Sequence, residues 1–223
     1  MTSPVADISS VLEDEVPYIT AWSGEPSLPA HLVLAPGGGI ALRWENDDDR
    51  DGFGVLWAGC AAGPERGTPE YGRVHPRRQR ECMVGLLCQV CGRPADMSER
   101  GWLWLLDTTG LDEPFPAEGS RTTNPPVCRD CAAKAALRCP VLRRGHVLVR
   151  VRRPMVMGVH GQVYRASGLG CATDRCVVPV GEKEFVSYWD GRWAWTLAGQ
   201  VYAHLHGITP VPAAELTVAA EAS

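Results

Sequence analysis

The chain has 223 residues, 45% hydrophobic and 22% charged, with a formal net charge of −4, enough apolar material for one ordinary domain or two small ones sharing a core. No stretch approaches the roughly 20 apolar residues that span a bilayer, and the N-terminus has neither a basic start nor an apolar h-region. The nine cysteines are odd in number and come with no export signal, which argues against a secreted disulfide scaffold and for a reducing, cytoplasmic setting.

The charge is unevenly placed. Arg73 through Arg153 holds 15 Lys+Arg against 8 Asp+Glu, a net of +7, so the remainder carries −11. Fourteen of the fifteen cations are arginines, the side chain whose planar fork pairs with phosphate and carboxylate. Arg77, Arg78, Arg80, Arg143, Arg144, Arg150 and Arg152 are therefore the candidate contacts to nucleic acid or an acidic partner. The simpler reading is that they neutralise the acidic remainder inside one fold.

In chain order, residues 1–15 read as a disordered acidic tail and 16–72 as a β-rich region. "VPYITAW", "HLVLAP" and "GIALRWE" are short β-branched or aromatic runs between Gly/Pro/Ser punctuation, continued by "GVLWAG". Gly37-Gly38-Gly39 lacks the Lys-Ser/Thr of a phosphate loop and reads as a hairpin turn. Asp47, Asp49, Asp51 and Gly52 mimic the start of a calcium loop, but its twelfth position falls on Ala58, so this is an acidic turn. "GPERGTPEYG" reads as a connecting loop.

The segment 73–145 should be a helix followed by a zinc finger. Pro76 suits a first helical turn, and Met83, Leu86, Leu87 and Val90 recur at helical spacing, running the helix into Cys88. "GWLWLLDT" is a continuous apolar strand, 110–126 is mostly loop, and "CRDCAAKAALRC" is a helix stopped by Pro140. Cys88 and Cys91 form one Cys-x-x-Cys pair, Cys128 and Cys131 a second, 36 residues apart. Four thiolates close the tetrahedral sphere of one structural Zn2+, and a pair at a helix N-terminus has its thiolate charge stabilised there.

Knuckle, strand, then a helix carrying the second pair resembles the treble-clef zinc finger, over about Leu87 to Cys139. Some treble clefs are nucleases with a histidine in or beside the finger. No histidine lies between Cys91 and Cys128 here, and His75, at a helix start, reads as a cap or surface residue. The combination "LLCQVCGRPAD", "GWLWLL" and "NPPVCRDCAA" also resembles a group of uncharacterised proteins common in GC-rich actinobacteria, from about Val16 onward. That likeness implies a cytoplasmic bacterial setting and one integrated α+β domain, and carries over only the four cysteines.

Of the other thiols, Cys139 lies two turns beyond Cys131 and should pack near the metal without ligating it, while Cys60 and Cys82 read as core. Cys171 and Cys176 are candidates for a second metal site with His160, His204 or His206, though no matched pair accompanies them. Trp44, Trp57, Trp102 and Trp104 read as core rings, leaving Trp189, Trp193 or Trp195 for exposure.

From 146 to 209 the expectation is a C-terminal sheet followed by a helix, then a tail over 210–223. Val147, Val149 and Val151 alternate with arginines, placing Arg150 and Arg152 on one open strand face. Trp193, Leu197, Val201 and Leu205 at four-residue steps predict an amphipathic helix ending at Gly207.

The fold class is thus α+β, small mixed sheets around a central four-cysteine finger. With no nucleophile elbow, dinucleotide fingerprint or zincin helix in the chain, the function read from sequence is a zinc-stabilised binding or regulatory protein. The alternatives are an enzyme or biosynthetic accessory factor with structural zinc and a small-molecule or peptide cleft, and an interaction module using the Trp-rich C-terminal helix.

Overall fold

A computed structural model describes residues 16–61, 67–109, 115–168 and 176–212. The tail expected over 1–15 and Cys171 lie outside them, as does most of the tail expected after Pro210.

Two long strands form the spine. β9 (His146–Ala166) and β11 (Thr196–Pro210) run antiparallel from Thr196↔Val163 to Pro210↔Val149. The far edge of β9 pairs first with β7 (Gly101–Asp107) and further along with β10 (Val177–Ser187). β7 in turn carries β6 (Met97–Ser98). The far edge of β11 takes β8 (Arg121–Thr122) and, in the sheet's only parallel pairing among the described residues, β4 (Leu56–Trp57).

Two small sheets lie outside this one. β1 (Thr20–Trp22) pairs with β5 (Pro69–Val74), and β2 (Leu32–Leu34) pairs with β3 (Ile40–Leu42) around the predicted glycine turn, where Gly38 and Gly39 have φ of 87° and 95°. β4 thus belongs to the main sheet, not to an N-terminal one. β5 replaces the predicted loop, because Glu70 and Val74 have partners on β1 that local composition does not reveal.

The C-terminal amphipathic helix is not formed. One 3-10 turn, Gly191–Trp195, leads directly into the 15 residues of β11. A four-residue step is a multiple of two, so Val201 and Leu205 line one face of a strand as well as of a helix, while the irregularity between Ala198 and Gln200 turns Leu197 to the other face, against Leu32, Ile40 and Leu56. Long-range pairing with β9 decides between them. Val211 is not tail either: it is buried beside Leu148 and donates its N–H to the Leu148 carbonyl, 2.9 Å.

Helix α1 (Pro76–Gly85) starts at an N-cap formed by His75 and stops three residues short of Cys88, with Leu86 in the left-handed region at φ 51°. It lies against β11 through Gln79. This buried side chain donates to the carbonyls of Thr123 (2.6 Å) and Val201 (2.9 Å) and accepts the N–H of Val201 (2.8 Å). Helix α2 (Arg129–Arg138) ends before Pro140 as predicted.

The sheet is buried on both sides where β7 and β9 meet. Trp104, Val149 and Val151 join Val201 and Leu205 in the larger core, while Leu103, Leu105 and Leu148, one residue out of phase, pack under the cysteine cluster. Trp57 and Trp104 are core rings as predicted, but Trp44 is 70% exposed, because β3 ends two residues earlier at Leu42.

Candidate metal centre

The first cysteine pair sits in a tight knuckle. The Cys88 N–H bonds the Arg93 carbonyl (2.7 Å) and the Gly92 N–H returns to the Cys88 carbonyl (2.8 Å). Gly92 permits that reversal with φ 70°. A Cβ there would also meet the Tyr18 ring at 3.1 Å, the ring that closes the outside of the knuckle. The second pair occupies the start of α2, with Cys128 at the N-cap and Cys131 in the first turn.

Backbone bonds hold the two limbs together. Gln89 N–H reaches Pro126 O (3.0 Å), Asp96 N–H reaches Val127 O (3.1 Å), and Val127 N–H reaches Leu103 O (2.9 Å). The N-terminal segment adds Tyr18 N–H to Val90 O, 2.8 Å. The knuckle is thereby tied to α2, to β7 and to the first described turn of the chain.

The four sulfurs lie within 4.8 Å of one another, and among the described residues no histidine or carboxylate joins them. Cys91 and Cys128 Sγ are 3.8 Å apart, far beyond disulfide length, and all four cysteines are free thiols. Burial pushes Cys88 up to about 11 against the N–H groups of Cys128, Cys91 and Val90 that favour its thiolate. Burial pushes Cys131 up too, helped by its hydrogen bond to Cys128. Burial opposes ionisation at Cys91 as well, but the Arg93 N–H and guanidinium and the neighbouring thiols outweigh it, bringing it down to about 7. Four soft donors converging in this way can hold one metal ion with every tetrahedral position filled by the chain.

The remaining cysteines divide as their positions dictate. Cys139 caps the C-terminal end of α2 outside the cluster, Cys82 is fully buried with its thiol raised to about 12 chiefly by burial, and Cys60 is half-buried. Cys176 is disulfide-bonded, so it has no thiolate for a second metal site with His160, His204 or His206.

The predicted arginine face does not assemble. Arg78 is bound to Glu25 at 2.6 Å and to the Thr20 carbonyl, Arg80 lies over the Trp57 ring at 4.7 Å, and Arg77 pairs with Glu81 at 2.9 Å. Arg150 is 1% exposed and joined to Asp96, because the strand face it shares with Leu148 is covered by the finger. Arg143, Arg144 and Arg152 are exposed. They form no single patch: His146, two residues after Arg144, is six strand steps from Arg152, about 20 Å at roughly 3.4 Å per residue.

Asp51, read as part of a mimicked calcium loop, instead organises its own turn. It accepts N–H bonds from Phe53 and Val55, the indole N–H of Trp57 and the hydroxyl of Tyr188. Near it, shallow cavities of about 240 and about 330 Å³ open beside the β2–β3 hairpin, lined by His31, Arg43 and Trp44 among others. No helix among the described residues is long and apolar enough to cross a membrane.

Comparisons with protein-family models, with curated proteins and with solved structures find no match for this chain.

Proposed function

We propose that the chain is a zinc-stapled binding protein, with one structural Zn2+ held by Cys88, Cys91, Cys128 and Cys131 in a treble-clef finger, and with nucleic acid as its target. One observation carries the zinc assignment: four cysteine sulfurs and no other donor group converge in one place. Four thiolates favour Zn2+ over harder ions and leave no open position for a water, so the metal holds structure and performs no chemistry. The knuckle, the β6–β7 hairpin and α2 with the last pair in its first turn supply the order of parts that a treble clef needs. The free thiols of the cluster suit a reducing, cytoplasmic setting, and the disulfide at Cys176 counts against it.

The binding reading rests on the arginine excess over 73–153 and on the cations of β9 that stay exposed after the internal ion pairs are made, Arg152 and Arg153. Elemental analysis of the purified chain tests the first half: about one zinc per chain is expected, and a metal-free protein with an unchanged melt sinks it. Titration with nucleic acid at several salt concentrations tests the second, since phosphate contacts weaken steeply with salt. Binding indifferent to salt would remove that half.

A further inference from the structure

The outer face of the sheet where β8, β11, β9 and β10 lie side by side carries a run of rings in contact. His160 lies 4.8 Å from Phe185, Phe185 5.3 Å from Tyr202, Tyr202 5.7 Å from His204, and His204 6.4 Å from His206, between ring centroids. Strand register places them on one side. His160 is opposite both Phe185 and Gln200, His204 is opposite Met155 and Arg121, and His206 is opposite Arg153. Val159, Val186, Val201 and Leu205, one residue out of phase, go to the core.

This face is built and left open. Tyr202 is 4% exposed and lies across Gly158, where a Cβ would fall 2.7 Å from its ring. It supports Phe185, which remains 36% exposed, and Met155, opposite His204, is 48% exposed. The Arg121 guanidinium lies over Phe185 at 4.7 Å, and both Arg121 and Arg153 are exposed. The nearby carboxylate of Glu118 is already engaged by the N–H of Gly207 and Ile208 and by His206, while Lys183 of β10 adds a positive charge near His160.

We infer that this face, rather than the surface of the finger, is where the protein binds single-stranded nucleic acid; the inference rests on the nucleic-acid reading above. Rings on an open sheet offer stacking to splayed bases, a guanidinium plane piled on a ring extends that platform, and arginines at its margin meet phosphates. A duplex, whose bases are already stacked, cannot use the rings. An apolar partner protein would have to bury Arg121 and Arg153 without counter-charges, which is costly.

The test is fluorescence anisotropy of a labelled 12-nucleotide oligouridylate with the full metal-loaded chain at low and moderate salt. Phe185→Ala should weaken binding by about 5- to 150-fold, the range for loss of a stacked base. Arg121→Gln should weaken it and reduce the salt slope by about one. Met155→Glu, which puts a negative charge at an already exposed point on the face, should abolish binding without a change in the melt, separating loss of binding from loss of fold. Arg143→Gln/Arg144→Gln should bind as wild type. Strand binding lost in the Arg143/Arg144 variant but kept in the three face variants overturns this placement and leaves the nucleic-acid reading standing. An unaltered protein that ignores the oligonucleotide at low salt overturns both.

Discussion

Arg150 of β9 and Asp96 of the finger form an ion pair of 2.5 Å across the boundary between the sheet and the cysteine cluster, with the arginine side chain 2% exposed. The same guanidinium donates to the carbonyls of Asp96 (3.2 Å) and Gly101 (3.3 Å). The planar fork reaches a carboxylate and two carbonyls from one buried position, which a lysine point charge cannot do. The cysteine cluster lies between the two limbs of the knuckle and α2; Arg150 joins that unit to the sheet.

Arg150→Ala therefore removes one donor from each of two carbonyls, which keep the Leu103 N–H (2.9 Å) and the Ser98 hydroxyl (3.4 Å), and leaves the Asp96 carboxylate with only Arg129, at 3.9 Å, in place of its buried partner. Breaking a buried pair costs about 3–5 kcal/mol, and the 26% exposure of the Asp96 side chain allows water to recover part of that, so a loss of at least about 2 kcal/mol is expected. Arg150→Lys should recover less than half of it. Urea denaturation of the metal-loaded protein measures both, and an alanine variant within 0.5 kcal/mol of wild type, on the order of a surface substitution, would show the link to be inert.

Gln79 makes a comparable prediction inside the larger core. Gln79→Leu conserves much of the shape but strands the N–H and carbonyl of Val201 and the carbonyl of Thr123, at a cost of about 2–4 kcal/mol. Gln79→Glu should be worse, since its carboxylate would face two carbonyl oxygens. An order of stability with Glu above Leu would contradict the assigned amide orientation.

Protonation of His75 should weaken the fold. Its Nδ1 accepts the Arg78 N–H at 3.4 Å as the N-cap of α1, which requires the neutral ring. Burial first, and then the Arg78 charge, hold its pKa below the ordinary histidine value despite Glu25 and Glu81 nearby. A depressed histidine pKa means that the unfolded chain binds more protons, so stability is present above the unfolded value of about 6.5 and is lost as pH falls from there toward the folded value. His160 and His204 are shifted in the same direction, so the wild-type curve contains all three. His75→Asn keeps a capping acceptor that does not titrate. Denaturation midpoints at pH 8 should nearly coincide, and the variant should lose less stability than wild type between pH 7 and 5.5; parallel curves would assign the loss elsewhere.

What the sequence made legible was local. Cys88/Cys91 and Cys128/Cys131 declare themselves by spacing, Pro140 stops α2, and Gly38 and Gly39 turn a hairpin, each through contacts within a few residues. What it hid was long-range. The alternation that set Arg150 against Val149 and Val151 was real, but nothing near Arg150 says that Leu103 and the finger cover its side of the strand. Likewise, Val201 and Leu205 of β11 satisfy two periods at once, and only pairing with β9, 30 and more residues away, selects the strand. The sheet face bearing Phe185, His204 and Arg121 comes from three separate strands, so no window of sequence contains it.

The cysteines themselves provide the sharpest discrimination between a metal centre and a buried thiol core. Cys91→Ser should lower the bound zinc to well below one per chain and the melting temperature by more than about 10 °C, which at about 2–4 °C per kcal/mol in a chain of this size means at least about 3 kcal/mol. Cys139→Ser, on the same helix but outside the cluster, should keep the zinc and melt within about 3 °C of wild type. Cys82→Ser is the informative third member. Its thiol is fully buried, and its sulfur donates weakly to the Cys88 carbonyl at 3.7 Å, so the change should cost about 1–2 kcal/mol through burial of a hydroxyl while leaving zinc at one per chain. If all three variants lose stability alike and none changes the metal content, the four clustered cysteines act by packing alone, and the staple is no metal.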